Sequence, residues 1–221
     1  MLTPRSGLAV IFDMDGLLLD TEPFYTQVTQ TIVARYGKTF DWSIKANMVG
    51  RPAAESARYL VDALDLPLAP EEYLREREQM LEALAPTSVP LPGARVLTEA
   101  LAARGAPLAI ATSSARRLFE LKTQRYHDWL AIFRVVVLGD DPRVRHGKPA
   151  PDIFLTAAGD LGAASADCVV VEDAPSGVAA ARAAGMQVVA VPDPANDRAR
   201  FAEASLVVGS LAELTPADFG W

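Results

Sequence analysis

The sequence predicts an α/β fold: a parallel sheet covered by helices on both faces, with an all-helical segment inserted after the first strand. Three observations carry this. Short apolar, β-branched runs recur along the chain and are continuous rather than alternating, as in strands buried on both faces. Ala- and Leu-rich helical stretches lie between them. Between Glu22 and Leu84 the alternation stops, and only amphipathic helical stretches remain.

Taken in order, Leu8–Phe12 is the first expected strand. The insert follows with helical stretches Phe24–Tyr36, Ala53–Leu64 and Pro70–Leu84. Its charged run, Glu71–Glu78, reads as a solvated helix face with mixed-sign pairs. The Pro-rich stretch Pro86–Gly93 reads as the return linker. Beyond it, Leu108–Ala111, Val135–Leu138, Cys168–Val171, Val188–Val191 and Leu206–Val208 read as buried strands. Ala94–Ala103, Pro151–Leu161 and Ser176–Ala184 read as helices, and Gly105 and Gly185 as helix stops. The expected organisation is a core of residues 1–20 and 88–221 and a helical module of residues 21–87.

Length and composition narrow the class further. A chain of 221 residues should bury roughly 70% of its unfolded surface, enough for one large domain with a smaller module. Cys168 is the only cysteine, which excludes a disulfide scaffold, and its apolar setting reads as packing. With 21 Lys and Arg against 28 Asp and Glu, the net charge is −7. That balance excludes a nucleic-acid partner, which needs clustered basic residues, but not an anionic metabolite. The five-residue run Leu8–Phe12 is too short for a signal-peptide core, and no apolar stretch approaches the roughly 20 residues of a membrane span. The expectation is a cytoplasmic protein with no membrane partner, monomeric or weakly dimeric.

In an open parallel sheet, ligands bind beyond the carboxyl ends of the strands. Four expected strand ends carry polar groups there: Asp13 and Asp15, Thr112–Ser113–Ser114, Gly147–Lys148–Pro149, and Glu172–Asp173. An EF-hand reading of Asp13–Met14–Asp15–Gly16 fails, because the glycine falls too early and no liganding Glu follows at the required spacing. Together the four fit phosphoryl transfer. Asp13 is the candidate nucleophile and Asp15 the acid and base. Thr112 and the N–H groups after it would hold phosphoryl oxygens, and Lys148 would offset their charge. Asp173, with Glu172, offers hard oxygen ligands for Mg²⁺. Without a cation, the excess of carboxylates would repel a phosphate by ~4 kcal/mol per charge pair at close range.

At these residues the sequence resembles the haloacid dehalogenase-like (HAD) superfamily, in the branch with a helical cap after the first motif. Asp13–Met14–Asp15–Gly16 with Leu19–Asp20–Thr21–Glu22 matches the first motif and hinge. Ala111–Thr112–Ser113 is similar to the second motif, Lys148 to the third, and Glu172–Asp173–Ala174–Pro175–Ser176–Gly177 to the fourth. The resemblance implies a Rossmann-like core, a mobile cap, Mg²⁺, Asp13 as nucleophile and Asp15 as acid/base. It further implies metal ligation by the Asp13 and Asp173 carboxylates and the Asp15 backbone carbonyl. Gly16 and Ser113 join the expected substrate-binding set. Dehalogenation is not implied, since the dehalogenating members lack the second aspartate that Asp15 supplies. Stretches such as Arg35–Trp42, Lys122–Arg125 and Gly139–Pro142 are similar to pseudouridine-5′-phosphatases and plant glycerol-3-phosphate phosphatases.

The expected reaction is hydrolysis of a small phosphorylated metabolite, a nucleoside, sugar or polyol monophosphate, through an aspartyl-phosphate. Two alternatives stand beside it. A phosphosugar mutase of the β-phosphoglucomutase type keeps the intermediate, but Ala53 occupies the place of that group's cap arginine. A receiver-like phospho-switch shares the Asp, Thr and Lys set but lacks an inserted helical module. Glu22, Tyr25 and Arg51 are the candidate crevice-facing residues of the cap, whose closure would exclude water. Lys122 and Arg125 read as a solvated helix face.

Overall fold

The computed structural model describes residues 7–48 and 53–221. Its centre is a six-stranded, all-parallel sheet: β1 (Ala9–Phe12), β2 (Leu108–Ala111), β3 (Val135–Val137), β4 (Cys168–Glu172), β5 (Gln187–Ala190) and β6 (Leu206–Val207), in spatial order β3-β2-β1-β4-β5-β6. Val10 pairs with Leu108 on one side and Val169 on the other, so β1 lies at the middle.

The continuous apolar runs follow from this topology. Val10, Phe12, Leu108, Ile110, Val169 and Val171 point to one face. There they meet Leu97 and Leu101 of the helix Ala94–Ala103, with Trp129, Phe133 and Phe219. Ala9, Ile11, Ala109, Ala111, Cys168 and Val170 point to the other face. That side is covered by Phe154 and Ala157 of the helix Asp152–Leu161 and by Val178 and Ala181 of the helix Pro175–Ala183. Every residue of a central strand therefore has an apolar neighbour above or below, and period-two alternation disappears. The two edge strands depart from the expected full burial. Val136 in β3 is 39% exposed, and both residues of β6 are half-buried. An edge has a neighbour on one side only.

Residues between β1 and β2 build the helical module. Its helices are α1 (Glu22–Ala34), α2 (Trp42–Lys45), α3 (Ala53–Leu64) and α4 (Pro70–Leu84). Pro70 opens α4 without losing a helix hydrogen bond, and Glu71 and Glu72 complement its N-terminal dipole. The short α2 is capped by Asp41, whose side chain accepts from the Ser43 and Ile44 N–H groups; four residues are too few to show a helical period. Val28, Ile32, Leu60, Tyr73 and Leu81 form a separate apolar cluster. Leu118, from the helix Arg116–Thr123, enters that cluster and ties it to the sheet-bearing part.

The two chain segments joining module and sheet pair with each other. The Asp20 N–H donates to Val89 O (2.8 Å), the Leu91 N–H donates to Leu18 O (3.0 Å), and Leu19 forms an antiparallel bridge with Pro90. Among the described residues, no helix is long and apolar enough to cross a membrane. Cys168 is buried, and burial pushes its thiol up to about 11, in keeping with packing rather than reactivity.

Candidate active site

The carboxyl ends of β1, β2 and β4 and the loop after β3 open into one crevice of about 770 Å³, roofed by the helical module. Asp13 leaves β1 still in the ladder, its N–H donating to Val171 O at 3.0 Å. The chain then turns tightly, with the N–H groups of Leu18 and Leu19 converging on Met14 O. Gly16 adopts φ +75, and a Cβ there would run into the Asp173 carboxylate. The turn therefore needs glycine twice, for its backbone angle and for the approach of Asp173.

Lys148 is the charge centre of one half of the site. Its ammonium lies 2.5 Å from Asp13 Oδ1, 2.6 Å from Glu172 Oε1 and 3.2 Å from Ala111 O. Burial opposes its charge, but the Asp13 and Glu172 carboxylates raise its pKa above the ordinary lysine value. Glu172 Oε2 accepts from the N–H groups of Asp173 and Ala174, both at 2.9 Å. Both Glu172 oxygens are thus engaged, and it holds Lys148 rather than standing open to a cation. A Cβ at Gly177 would overlap this carboxylate, so the fourth motif's glycine keeps the space that Glu172 fills.

Asp13 and Asp173 have the opposite electrostatics. Burial, with Glu172 and Asp15 adding repulsion, raises the Asp13 carboxyl to about 7 against the pull of Lys148. Asp173 is raised well above the carboxylate range by burial and by Glu172, Asp13 and Glu22. Among the described residues no N–H or O–H donates to the Asp173 carboxylate, and no three His, Cys, Asp or Glu side chains form a ready metal-ligand set. Two under-compensated carboxylates lining one crevice nevertheless suit a hard divalent cation, whose charge relieves their repulsion. The third protein ligand would have to be a backbone oxygen, as the Asp15 carbonyl is expected to be.

The second half of the site is built around Asp15. Its Oδ1 accepts from Lys122 Nζ (2.5 Å) and Thr21 Oγ1 (2.8 Å); its Oδ2 accepts from Ser114 Oγ (2.7 Å) and Thr112 Oγ1 (3.3 Å). Burial opposes ionisation, but Lys122, Ser114 and Thr21 together hold this carboxyl below the ordinary aspartate value. Two aspartates two residues apart therefore sit in opposite regimes, one pushed toward its protonated form and one held ionised.

Asp13, Asp15, Thr112, Ser113, Lys148, Glu172, Asp173, Glu22 and Tyr25 all line the crevice. Glu22 is paired with Lys45 at 3.0 Å. Arg51 and Gly50 lie outside the described residues. Two expectations are corrected. Lys122 is not on a solvated face: its side chain is 2% exposed and pairs with Asp15. Arg125 is exposed, but its guanidinium donates to Ser88 O at 3.0 Å and braces the return linker. The run Glu71–Glu78 is not wholly solvated either, since Tyr73 is buried and Arg77 faces the crevice. A signal for Lys122 existed, because the apolar Leu118 precedes it at the i, i+4 spacing of one helix face, the face that is buried.

A family model described as haloacid dehalogenase-like hydrolase matches residues 8–185. The chain is 50% identical over 216 residues to "(DL)-glycerol-3-phosphatase 1, mitochondrial" of Arabidopsis thaliana, covering 96% of this chain and 72% of that protein. It is 44% identical over 213 residues to "Probable pseudouridine-5'-phosphatase" of Drosophila melanogaster, covering 95% and 92%. A HAD family hydrolase of Deinococcus radiodurans R1, solved with bound phosphate and sodium, superposes with a TM-score of 0.78 at 29% identity, covering 98% of each chain.

Proposed function

We propose that this chain, which belongs to the haloacid dehalogenase-like hydrolases, hydrolyses a small phosphate monoester with Asp13 as nucleophile and Mg²⁺ as cofactor. The observation that carries the reading is the Asp13 carboxylate held 2.5 Å from Lys148, beside Asp15 and Asp173, at the mouth of the central strand. The named phosphatase relatives support it. Residues 21–87 are proposed to act as a cap over the crevice, and the cytoplasm is the proposed compartment.

In the first step an Asp13 oxygen attacks phosphorus, the P–O bond to the alcohol breaks, and a proton from Asp15 goes to the leaving oxygen. Lys148, pinned by Glu172, steadies Asp13 and the charge on the transferring phosphoryl group. Thr112, its backbone held by Val137 O, would turn its hydroxyl from Asp15 Oδ2 (3.3 Å) to a phosphoryl oxygen when substrate binds. In the second step Asp15 takes a proton from water, which attacks phosphorus and frees Asp13 and inorganic phosphate. Bound between Asp13, Asp173 and the Asp15 carbonyl, Mg²⁺ would supply the positive charge that brings substrate and carboxylates together.

The structure's ionised, Lys122-paired Asp15 corresponds to the base form used in the second step. Donating a proton in the first step requires that pairing to loosen. Ala53 lines the crevice without any charge, so nothing at this position favours gripping a second phosphate as a mutase does.

The test is turnover of phenyl phosphate by the purified protein with Mg²⁺. Asp13→Asn and an excess of EDTA should each abolish it. Undiminished turnover in Asp13→Asn would overturn the nucleophile assignment, and undiminished turnover in EDTA the metal.

A further inference from the structure

Arg77 stands apart from the other cations of the crevice. Lys148 is bound by Asp13 and Glu172, Lys122 by Asp15, and Lys45 by Glu22 and the Thr26 hydroxyl (2.8 Å). Arg77 also lines the crevice, yet among the described residues no carboxylate pairs with it, and its Nε is buried without a hydrogen-bond partner. Its guanidinium carbon lies 5.8 Å from the centroids of both the Tyr25 and Tyr73 rings. Two aromatic rings thus orient a group whose donor capacity the protein leaves unused.

The position of Tyr25 says which part of a substrate would meet it. Tyr25 touches both cations: Arg77 lies 5.8 Å from its ring centroid, and Lys122, the residue that grips Asp15, donates to its hydroxyl at 3.5 Å. Asp15 serves the leaving oxygen in the reaction proposed above. Arg77 is therefore a neighbour of the residue beside the Asp15–Lys122 pair, and it is carried by the module helix α4 rather than by the strand ends that hold Asp13 and Lys148. That places it toward the alcohol half of a substrate and not at the phosphoryl group.

The charge of the walls restricts what that alcohol carries. Glu22, Glu78 and Asp193 line the same crevice as Arg77. They repel a second phosphate or a carboxylate, while leaving a neutral acceptor free to take the guanidinium's N–H groups.

We propose that Arg77 is the specificity-determining residue of this site. It binds a neutral oxygen acceptor, a hydroxyl or a ring carbonyl, on the alcohol half of a singly phosphorylated substrate. The assignment rests on the phosphatase reading and narrows its substrate class.

The test compares kcat/KM for glycerol 3-phosphate and uridine 5′-monophosphate, which carry such acceptors, with phenyl phosphate, which carries none. The wild-type protein, Arg77→Met and Arg77→Lys are measured side by side. In Arg77→Met the ratio of the preferred acceptor-bearing ester to phenyl phosphate should fall by about ten-fold or more, through loss of charge-assisted hydrogen bonds. Arg77→Lys should recover part of it. The two arms distinguish a polyol from a nucleobase as the source of the acceptor. An unchanged ratio in Arg77→Met would overturn the proposal, including the case where all substrates slow together because Arg77 only props the tyrosines. So would a wild-type preference for 2-phosphoglycolate or a sugar bisphosphate over both neutral esters. Failure of the wild-type protein to turn over phenyl phosphate would instead sink the phosphatase reading, and this assignment with it.

Discussion

The ammonium of Lys122 lies 2.5 Å from Oδ1 of Asp15, across 107 residues of sequence, and touches Ser114 Oγ at 2.9 Å on the way. A lysine this deeply buried is retained only with a partner, and the partner is the proposed acid/base. Replacing Lys122 by Met removes one member of a largely buried pair and leaves Asp15 uncompensated. We expect a stability loss of about 3 kcal/mol in urea unfolding. Because Asp15 also loses an orienting contact, turnover should fall more for alkyl phosphates, which need leaving-group protonation, than for aryl phosphates with good leaving groups. Equal slowing of both classes would limit Lys122 to stability.

The Asp13 and Asp173 carboxyls predict how the metal-free protein responds to pH. Asp13 is raised to about 7 and Asp173 is raised in the same direction, chiefly by burial. A carboxyl raised above its unfolded value of ~4 binds more protons when folded. Its contribution is fully present below pH ~4 and is lost as pH climbs through 7. Asp15 runs the other way, contributing above its unfolded value and losing that contribution in acid. Thermal melts in EDTA should therefore show the site's contribution declining between pH 5 and pH 8, and Mg²⁺ should restore stability most at pH 8. A Mg²⁺ effect larger at pH 5 than at pH 8 would contradict this account.

Two glycine substitutions should separate space from flexibility. A Cβ at Gly177 overlaps the Glu172 carboxylate that holds Lys148, so Gly177→Ala should cost about 1–3 kcal/mol. Turnover should fall with it, because Glu172 must move. Gly159 sits within the helix Asp152–Leu161 with nothing inside 4 Å of an added Cβ. Gly159→Ala should stabilise by roughly 0.5–1 kcal/mol and leave turnover intact. Paired denaturation and rate measurements check both.

Within the helical module, Thr29 Oγ1 and Tyr73 OH lie 2.8 Å apart in an apolar cluster. Tyr73→Phe strands the Thr29 hydroxyl, and a loss of about 1 kcal/mol is expected in urea unfolding. An unchanged midpoint would mean that Thr29 satisfies itself elsewhere.

Much of this was readable from the sequence because the signals are local. The helices Ala53–Leu64, Pro70–Leu84 and Ala94–Ala103 have the bounds their apolar periodicity predicts, since each has at least ten residues over which a period can show. The strand ends bearing Asp13, Thr112 and Glu172 were legible for a related reason: an apolar run that stops at a polar residue marks its own end. The helices Trp42–Lys45 and His127–Leu130 span four residues each, less than two turns, and carry no period to find.

Lys122 and Arg77 show where local reading stops. Both lie on helices rich in exposed charged residues, and by composition both belong to a wet face. Their burial depends on what sits opposite, an aspartate from the first turn after β1 for one and a pair of tyrosines for the other.

From the sequence alone came the fold class, the order of the motifs and the choice of Asp13, Asp15, Lys148 and Asp173 as the proposed chemical set. Each of these is written in residue type and short-range spacing. The tertiary structure decided the pairing: Glu172 on Lys148, Lys122 on Asp15, and Arg77 beside two tyrosine rings with no carboxylate partner among the described residues. Pairing depends on distances between side chains far apart in the chain, and electrostatic energy falls with distance in space, not along the sequence. For that reason two carboxylates two residues apart emerge with opposite shifts in proton affinity.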